Sequence, residues 1–269
     1  EYWSLEQAKL GKGAAPKFQG KIVMITGGSG TIGFTIAKAF SKLGAQTILI
    51  DKDETSLKKA VDSLGTGHGY LTLDVTSPNA AEQAMLGSIQ KFGGLDILIS
   101  NAGAAHAGPM LSISEDDLRD AFELNFFSHY SFSTAAAKIF RNQNRGGQII
   151  FNISKQAVNP GKNFGAYGMP KATTFFLMKQ LALELGANGI RVNGVNADRI
   201  RSGLLTDDFI SSRAKSRGVS ESDYMAGNLL NKEVTAEHVA DAFTSLACAE
   251  STTGHVMTVD GGNIEASLR

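Results

Sequence analysis

Between Lys21 and Leu43 the chain runs through an apolar stretch, Ile22-Val23-Met24-Ile25. It continues as Thr26-Gly27-Gly28-Ser29-Gly30-Thr31-Ile32-Gly33, then with helical spacing through Ile36, Ala37, Phe40 and Leu43. No other segment narrows the choice of fold as much. Four β-favouring residues without polar alternation read as a strand buried on both faces, which is the habit of a parallel sheet. The glycines let backbone approach a pyrophosphate, and the following helix points amide hydrogens and a partial positive charge at it. Strand, glycine turn and helix in that order open a dinucleotide-binding unit.

The same alternation continues. Thr47-Ile48-Leu49-Ile50 reads as a second buried strand ending at Asp51, and Glu54–Leu64 as a helix. Tyr70–Leu73 is a third strand closed by Asp74, and 80–92 a helix with Pro78 near its start. Leu95–Ile99 is a fourth strand, running into Ser100-Asn101-Ala102-Gly103. Ser114 caps a long helix carrying Leu118, Phe122, Asn125, Phe126 and Phe132. Ile149-Ile150-Phe151 is a strand ending near Ser154, Ile190–Val195 a sixth, and Val256–Val259 the last after a helix over 236–249. The expected fold is therefore α/β, a Rossmann-like doubly wound parallel sheet in a single domain. Residues 1–20 read as an N-terminal extension or linker, with Leu5–Leu10 as a short helix. Residues 21–269 read as the domain, with a helical lid over about 198–231. Ligands of such sheets lie beyond the strands' carboxyl ends, where Gly27–Gly33, Asp51, Asp74, Asn101–Gly103, Ser154 and the 196–202 segment all fall.

A carboxylate about 20 residues past the glycines can accept hydrogen bonds from both adenosine ribose hydroxyls and would repel a 2′-phosphate. The glycine turn contains no Arg or Lys, so Asp51 favours NAD over NADP, with Lys52 the one dissenting charge. Tyr167 and Lys171 are four apart at the start of a long apolar segment and share a helix face. Ser154, at a strand end, can face them, and a hydroxyl, a phenol and an ammonium together make a proton-transfer site. A Tyr and Lys four apart more often form only a solvated face; the glycine turn and the position of Ser154 reverse that reading. Arg199, Arg201 and Ser202 are candidates to meet a carboxylate or phosphate on a substrate, against an equal reading as surface ion pairs.

Composition excludes several classes. Lys plus Arg equals Asp plus Glu, 26 each, so no charge excess points to nucleic acid or an anionic membrane. No apolar run reaches the ~18 residues of a membrane span. The single cysteine, Cys248, cannot form an internal disulfide, which favours a cytoplasmic setting. The five histidines show no metal-ligand spacing, so no metal site is expected; His106 and His129 are candidates to line the pocket, with solvated or packed histidines the favoured reading.

From about Lys21 to Gly262 these residues resemble the short-chain dehydrogenases/reductases. The likeness rests on Thr26–Gly33, Asp74, Asn101-Ala102-Gly103, Asn125, Ser154 and Tyr167-x-x-x-Lys171, with tyrosine thirteen positions after serine. More narrowly, Glu1-Tyr2-Trp3, Leu5-Glu6 and Val195-Asn196-Ala197-Asp198 resemble the dehydrogenase portion of bifunctional aldolase/short-chain dehydrogenases of the rhamnulose-1-phosphate aldolase type. The resemblance implies a small-molecule alcohol or carbonyl substrate, with lactaldehyde or a related hydroxy-aldehyde or sugar alcohol as the specific expectation. It implies a homodimer or homotetramer, and an aldolase domain ahead of this one in the parent protein. It implies cofactor contacts from Gly27, Ser29, Gly30, Thr31, Ile32, Gly33, Asp51, Asp74, Val75, Asn101, Ala102, Gly103, Tyr167 and Lys171. Tyr167 would then be the acid/base, with its phenolate stabilised by the Lys171 ammonium and an oxidised nicotinamide. Ser154 would hold the substrate oxygen, and Asn125 would support a water-mediated proton path or only fill a backbone gap. Two departures stand out. Thr31 replaces a usual glycine, with Gly30 expected to supply flexibility, and Asn196–Gly203 replaces a usual Pro-Gly segment. The rival readings are an NADPH-dependent ketoreductase and a non-catalytic nucleotide-binding module attached to an aldolase.

Overall fold

A computed structural model describes residues 15–105 and 107–263. The Leu5–Leu10 helix and His106 lie outside them. Seven parallel strands form one sheet: β1 (Ile22–Thr26), β2 (Gln46–Asp51), β3 (Gly69–Thr72), β4 (Ile97–Ser100), β5 (Gly147–Asn152), β6 (Ile190–Ala197) and β7 (Val256–Val259). Their order across the sheet is β3-β2-β1-β4-β5-β6-β7. Strand order reverses between β1 and β4, so a crevice opens at their carboxyl ends.

Alternate residues of the strands feed opposite layers. Met24, Ile48, Leu98, Ile149 and Phe151 pack beneath α3 (Ala80–Phe92), α5 (Ser128–Gln143) and α6 (Gly165–Leu185). Val23, Ile25, Leu49, Ile99 and Ile150 pack beneath α1 (Thr31–Lys42), α2 (Glu54–Leu64) and α9 (Ala236–Cys248). Both faces of β1 are therefore dry, which is why its sequence shows no alternation. Phe18, within the stretch read from the sequence as an N-terminal extension or linker, is buried, its ring centroid 4.9 Å from that of Phe40.

The long helix expected after Ser114 is three segments. α4 (Glu115–Phe122) runs into a π-helical turn, Glu123–Phe127, and then into α5. Ser114 caps α4 by accepting from the Asp117 amide at 3.0 Å. Between β6 and α9 lie α7 (Asp207–Arg217) and the short α8 (Glu221–Met225), with a small apolar cluster of their own around Ile210 and Tyr224. No helix among the described residues is long and apolar enough to cross a membrane.

Candidate active site

The carboxyl ends of β1, β4 and β5 are tied side to side. Thr26 Oγ1 accepts from the amides of Asn101 and Ala102 at 2.9 and 3.0 Å. Asn101 Nδ2 donates to the carbonyl of Thr26 at 2.9 Å, and Asn101 Oδ1 accepts from Asn152 Nδ2 at 2.8 Å. Beyond this edge opens a cleft of about 1650 Å³. Pockets that hold a drug-sized ligand span roughly 300–1,000 Å³, so there is room for a dinucleotide and a small substrate together.

At one end the glycine turn is shaped by steric needs that differ from residue to residue. Gly27 takes φ +64°, and a Cβ there would stand 3.0 Å from Ala102 Cα. A Cβ on Gly33 would come within 2.1 Å of the Gly27 carbonyl oxygen, so only glycine lets α1 sit this close. Gly30 has an ordinary φ of −72°, and a Cβ there would meet the Gly27 carbonyl oxygen at an ordinary 3.5 Å, so it does not supply the flexibility expected of it. Thr31 simply begins α1. Asp51 is aimed by its neighbours: Oδ2 accepts from the Ser29 hydroxyl at 2.7 Å and its amide at 3.2 Å, and Oδ1 from the Lys52 amide at 2.8 Å. Asp74 accepts from the amide and hydroxyl of Thr76 at 2.9 and 2.7 Å, and these bonds hold its carboxyl below the usual range. Thr31, Ile32, Val75, Ala102 and Gly103 complete this end of the wall.

At the other end Ser154, Tyr167 and Lys171 line the same cleft. Ser154 follows β5 and caps a single 3-10 turn, Lys155–Ala157. Tyr167 and Lys171 stand one turn apart on α6, with Lys171 Nζ 5.9 Å from the Tyr167 ring centroid. Burial pushes the Tyr167 phenol up to about 12, with the Ser154 side chain acting the other way, and pushes the Lys171 ammonium down to about 7. Desolvation is the largest cause of both shifts and acts against the charged form of each group.

Lys171 is held from behind. Its Nζ donates to the Asn152 carbonyl at 3.0 Å and lies 3.4 Å from His129 Nε2, while His129 Nδ1 lies 2.6 Å from Ser100 Oγ. His129 is packed, as expected, yet it also touches the lysine. When Lys171 is protonated, the ring accepts at Nε2 and carries its proton on Nδ1. Burial and the neighbouring lysine hold its pKa well below the usual value. The sequence alone did not distinguish a solvated from a packed His129; the lysine on another helix decides its contact.

Asn125 lies in the π turn, buried, and its side chain is fully engaged. Nδ2 donates to the carbonyls of Ala104 and Ala121, and Oδ1 accepts from the Ala104 amide. Its own carbonyl accepts from Thr174 Oγ1 at 2.7 Å. The side chain thus fills a backbone gap and does not line the cleft.

The arginines expected to meet substrate are occupied. Arg201 pairs with Asp207 and Glu233 and lies off the cleft, so it is the surface ion pair of the two readings. Arg199 lines the cleft with a left-handed φ of +50°, but reaches Asp198 and the Tyr224 carbonyl. Ser202 lines the wall and donates to the Ile200 carbonyl at 3.1 Å. Sequence spacing missed Arg213, which does line the cleft from α7. Among the described residues no cluster of His, Cys, Asp or Glu could hold a metal ion.

A family model described as enoyl-(acyl carrier protein) reductase matches residues 27–263. A short-chain type dehydrogenase/reductase from Mycobacterium marinum superposes with a TM-score of 0.82 at 26% identity, covering 92% of this chain and 96% of that one. The chain belongs to the short-chain dehydrogenase/reductase family. It is therefore an oxidoreductase domain of the type that uses a nicotinamide cofactor on alcohol and carbonyl groups. It is 32% identical to the uncharacterized oxidoreductase YuxG of Bacillus subtilis over 97% of this chain, which spans 40% of YuxG's length. It is 30% identical to secoisolariciresinol dehydrogenase of Forsythia intermedia, covering 92% of this chain and 90% of that protein. The donor set fits the family's cofactor: a left-handed Gly27, a helix N-terminus beyond it, and an aimed carboxylate at Asp51.

Two outcomes follow from this geometry. Gly33→Ala overpacks the turn at a cost of about 1–3 kcal/mol, lowering the unfolding midpoint by several degrees, whereas Gly30→Ala leaves it nearly unchanged; calorimetry of the two variants checks this. His129 stays neutral in the folded state while the unfolded chain takes a proton below about pH 6.5. Its contribution is present above that pH and is lost as pH falls, by at most about 1.4 kcal/mol per unit. In urea titrations between pH 6.5 and 5 the stability gap between the native chain and His129→Gln should therefore narrow.

Proposed function

We propose that the domain interconverts a hydroxyl and a carbonyl on a small hydroxy-aldehyde, sugar alcohol or related molecule, with NAD as cofactor. One observation carries this reading: Ser154, Tyr167 and Lys171 stand on the same cleft as the Gly27 turn and an aimed Asp51. The nicotinamide, when bound, supplies hydride acceptance or donation. Tyr167 takes the proton of the substrate hydroxyl, or returns it to a carbonyl oxygen, and Ser154 holds that oxygen by hydrogen bond. Since burial raises the phenol's pKa, proton release from Tyr167 needs positive charge beside it, and the site offers Lys171 for that. Asn152 and His129 keep the lysine's position, and Asn125 holds the Ala104 peptide so that Gly103 can pass close to Lys171. Asn125 acts here as a positioning residue.

NAD is favoured by the Asp51 carboxylate, by its bond to Ser29 and by the lack of a basic side chain in the glycine turn. Use of NADPH by a ketoreductase is the second reading, because Lys52 also lines the cleft. Lactaldehyde is a member of the substrate class through the likeness to aldolase-linked dehydrogenases. Of the residues carrying that likeness, Val195–Asp198 lie at the end of β6, and Glu1–Glu6 fall outside the described residues. An aldolase domain in the parent protein and a cytoplasmic setting belong to the same proposal.

Residues 198–231 serve as the lid in this reading, carrying α7 and α8 beside the cleft. Association into a homodimer or homotetramer is also proposed. Phe127 and Tyr130, at the π turn and on α5, and Phe176 and Leu183 on α6 stand 46–79% exposed. Phe132, also on α5, is core.

Tyr167→Phe should reduce NAD-dependent turnover of small hydroxy compounds by at least a thousandfold while leaving NAD affinity within about threefold. NADH formation and fluorescence titration measure the two quantities, and substantial residual turnover would refute the mechanism. The native chain should show a kcat/KM with NAD at least tenfold above that with NADP, and Asp51→Ala should narrow the ratio. A preference for NADP would overturn the reading of Asp51.

A further inference from the structure

The substrate end of the cleft carries more positive charge than its own carboxylates neutralise. Asp120, Glu123 and Asp198 are the acidic side chains of the cleft outside its nucleotide end, and the one that forms ion pairs among the described residues is Asp198. It is already shared by Lys155 at 2.9 Å, Arg199 at 3.5 Å and the Asn263 amide at 2.6 Å. Arg213 and Arg217 line the same cleft from α7, and neither forms an ion pair with a described residue. Arg217, in the last turn, is accounted for by the helix dipole. Arg213, a turn earlier, is not.

The setting of Arg213 is specific. Its guanidinium carbon lies 5.5 Å from the Phe164 ring centroid and 5.8 Å from that of Phe209, and its Nε is buried with no hydrogen-bond partner. Stacking engages the faces of a guanidinium and leaves its in-plane donors to seek acceptors. A buried donor without a partner costs free energy until one arrives, and a carboxylate or phosphate matches a guanidinium's planar fork. Phe164 immediately precedes α6, and its carbonyl accepts from the Tyr167 amide at 3.1 Å. Arg213 therefore stands over the turn that carries the phenol.

We propose that Arg213, supported by Arg217, is an anion subsite that selects substrates bearing a carboxylate or phosphate a few bonds from the reacting hydroxyl or carbonyl. The inference rests on the dehydrogenase reading and ranks the members of its substrate class. Anionic hydroxy compounds come ahead of neutral ones such as lactaldehyde.

Two matched pairs test it: lactate against propane-1,2-diol, and glycerol 3-phosphate against glycerol. Binding is followed by ligand-observed NMR titration of the native chain, Arg213→Met and Arg213→Lys, with and without NAD. In at least one pair the anionic member should bind the native chain at least tenfold more tightly than its neutral partner. Whichever pair shows the larger ratio tells carboxylate from phosphate. Arg213→Met should abolish the difference and Arg213→Lys should keep part of it, both with unchanged NAD affinity, which also reports that they fold. Equal binding within both pairs, or an undiminished preference in Arg213→Met, overturns the subsite. If either variant fails to fold, the native-chain ratios still decide between preference and none, and Arg217→Met replaces it. Failure of NAD to bind would instead strike the dehydrogenase reading, and the titrations without NAD would still decide the subsite.

Discussion

The hydrogen bonds that bind Thr26, Asn101 and Asn152 across the ends of β1, β4 and β5 set the geometry of everything functional in this chain. A parallel sheet aligns its strands through backbone bonds, but those bonds stop at the strand ends, where the crevice begins. There three side chains take over. Asn101 braces the Gly27 turn from one side and meets Asn152 on the other. The carbonyl of Asn152 then receives the Lys171 ammonium. A hydrogen-bonded line thus runs from the nucleotide turn to the proton-handling side chains, and displacing either end disturbs the other.

The same line explains how a lysine can be buried here. Desolvation opposes its charge, and the chain answers with two fixed acceptors, the Asn152 carbonyl and His129 Nε2, and no carboxylate. A carboxylate would have held the lysine firmly protonated and neutralised its field. Neutral acceptors orient it and leave its charge responsive to what enters the cleft. Asp51 shows the opposite arrangement: a half-buried carboxylate aimed by the Ser29 hydroxyl and amide.

Much of this was legible in the sequence, for identifiable reasons. β1 and β2 were readable because strands buried on both faces show uninterrupted apolar runs. Ser154, Tyr167 and Lys171 were readable because their spacing combines a strand end with one turn of helix. Other features depend on contacts between distant segments. His129 looks like any packed histidine until α6 brings Lys171 to its Nε2. Arg213 lies in a helix with little apolar periodicity, while Arg199 and Arg201, nearer the strand end, drew the substrate assignment and proved to be engaged. Thr31 looked like a loss of flexibility because the sequence does not say which glycine of the turn has the positive φ; it is Gly27.

The π turn at Glu123–Phe127 separates two helical segments whose faces must serve different neighbours. Asn125 within it reaches back to Ala104, while His129 and Phe132 beyond it face Lys171 and the core. A wider turn accommodates one residue more than an α-helix of the same rise. Removing that residue would restore regular winding and rotate one segment against the other by about 100°. The turn therefore acts as a phase correction between two readers of one helix, the loop above the cleft and the core below it. Length in this segment is constrained even where the identity of its exposed side chains is not.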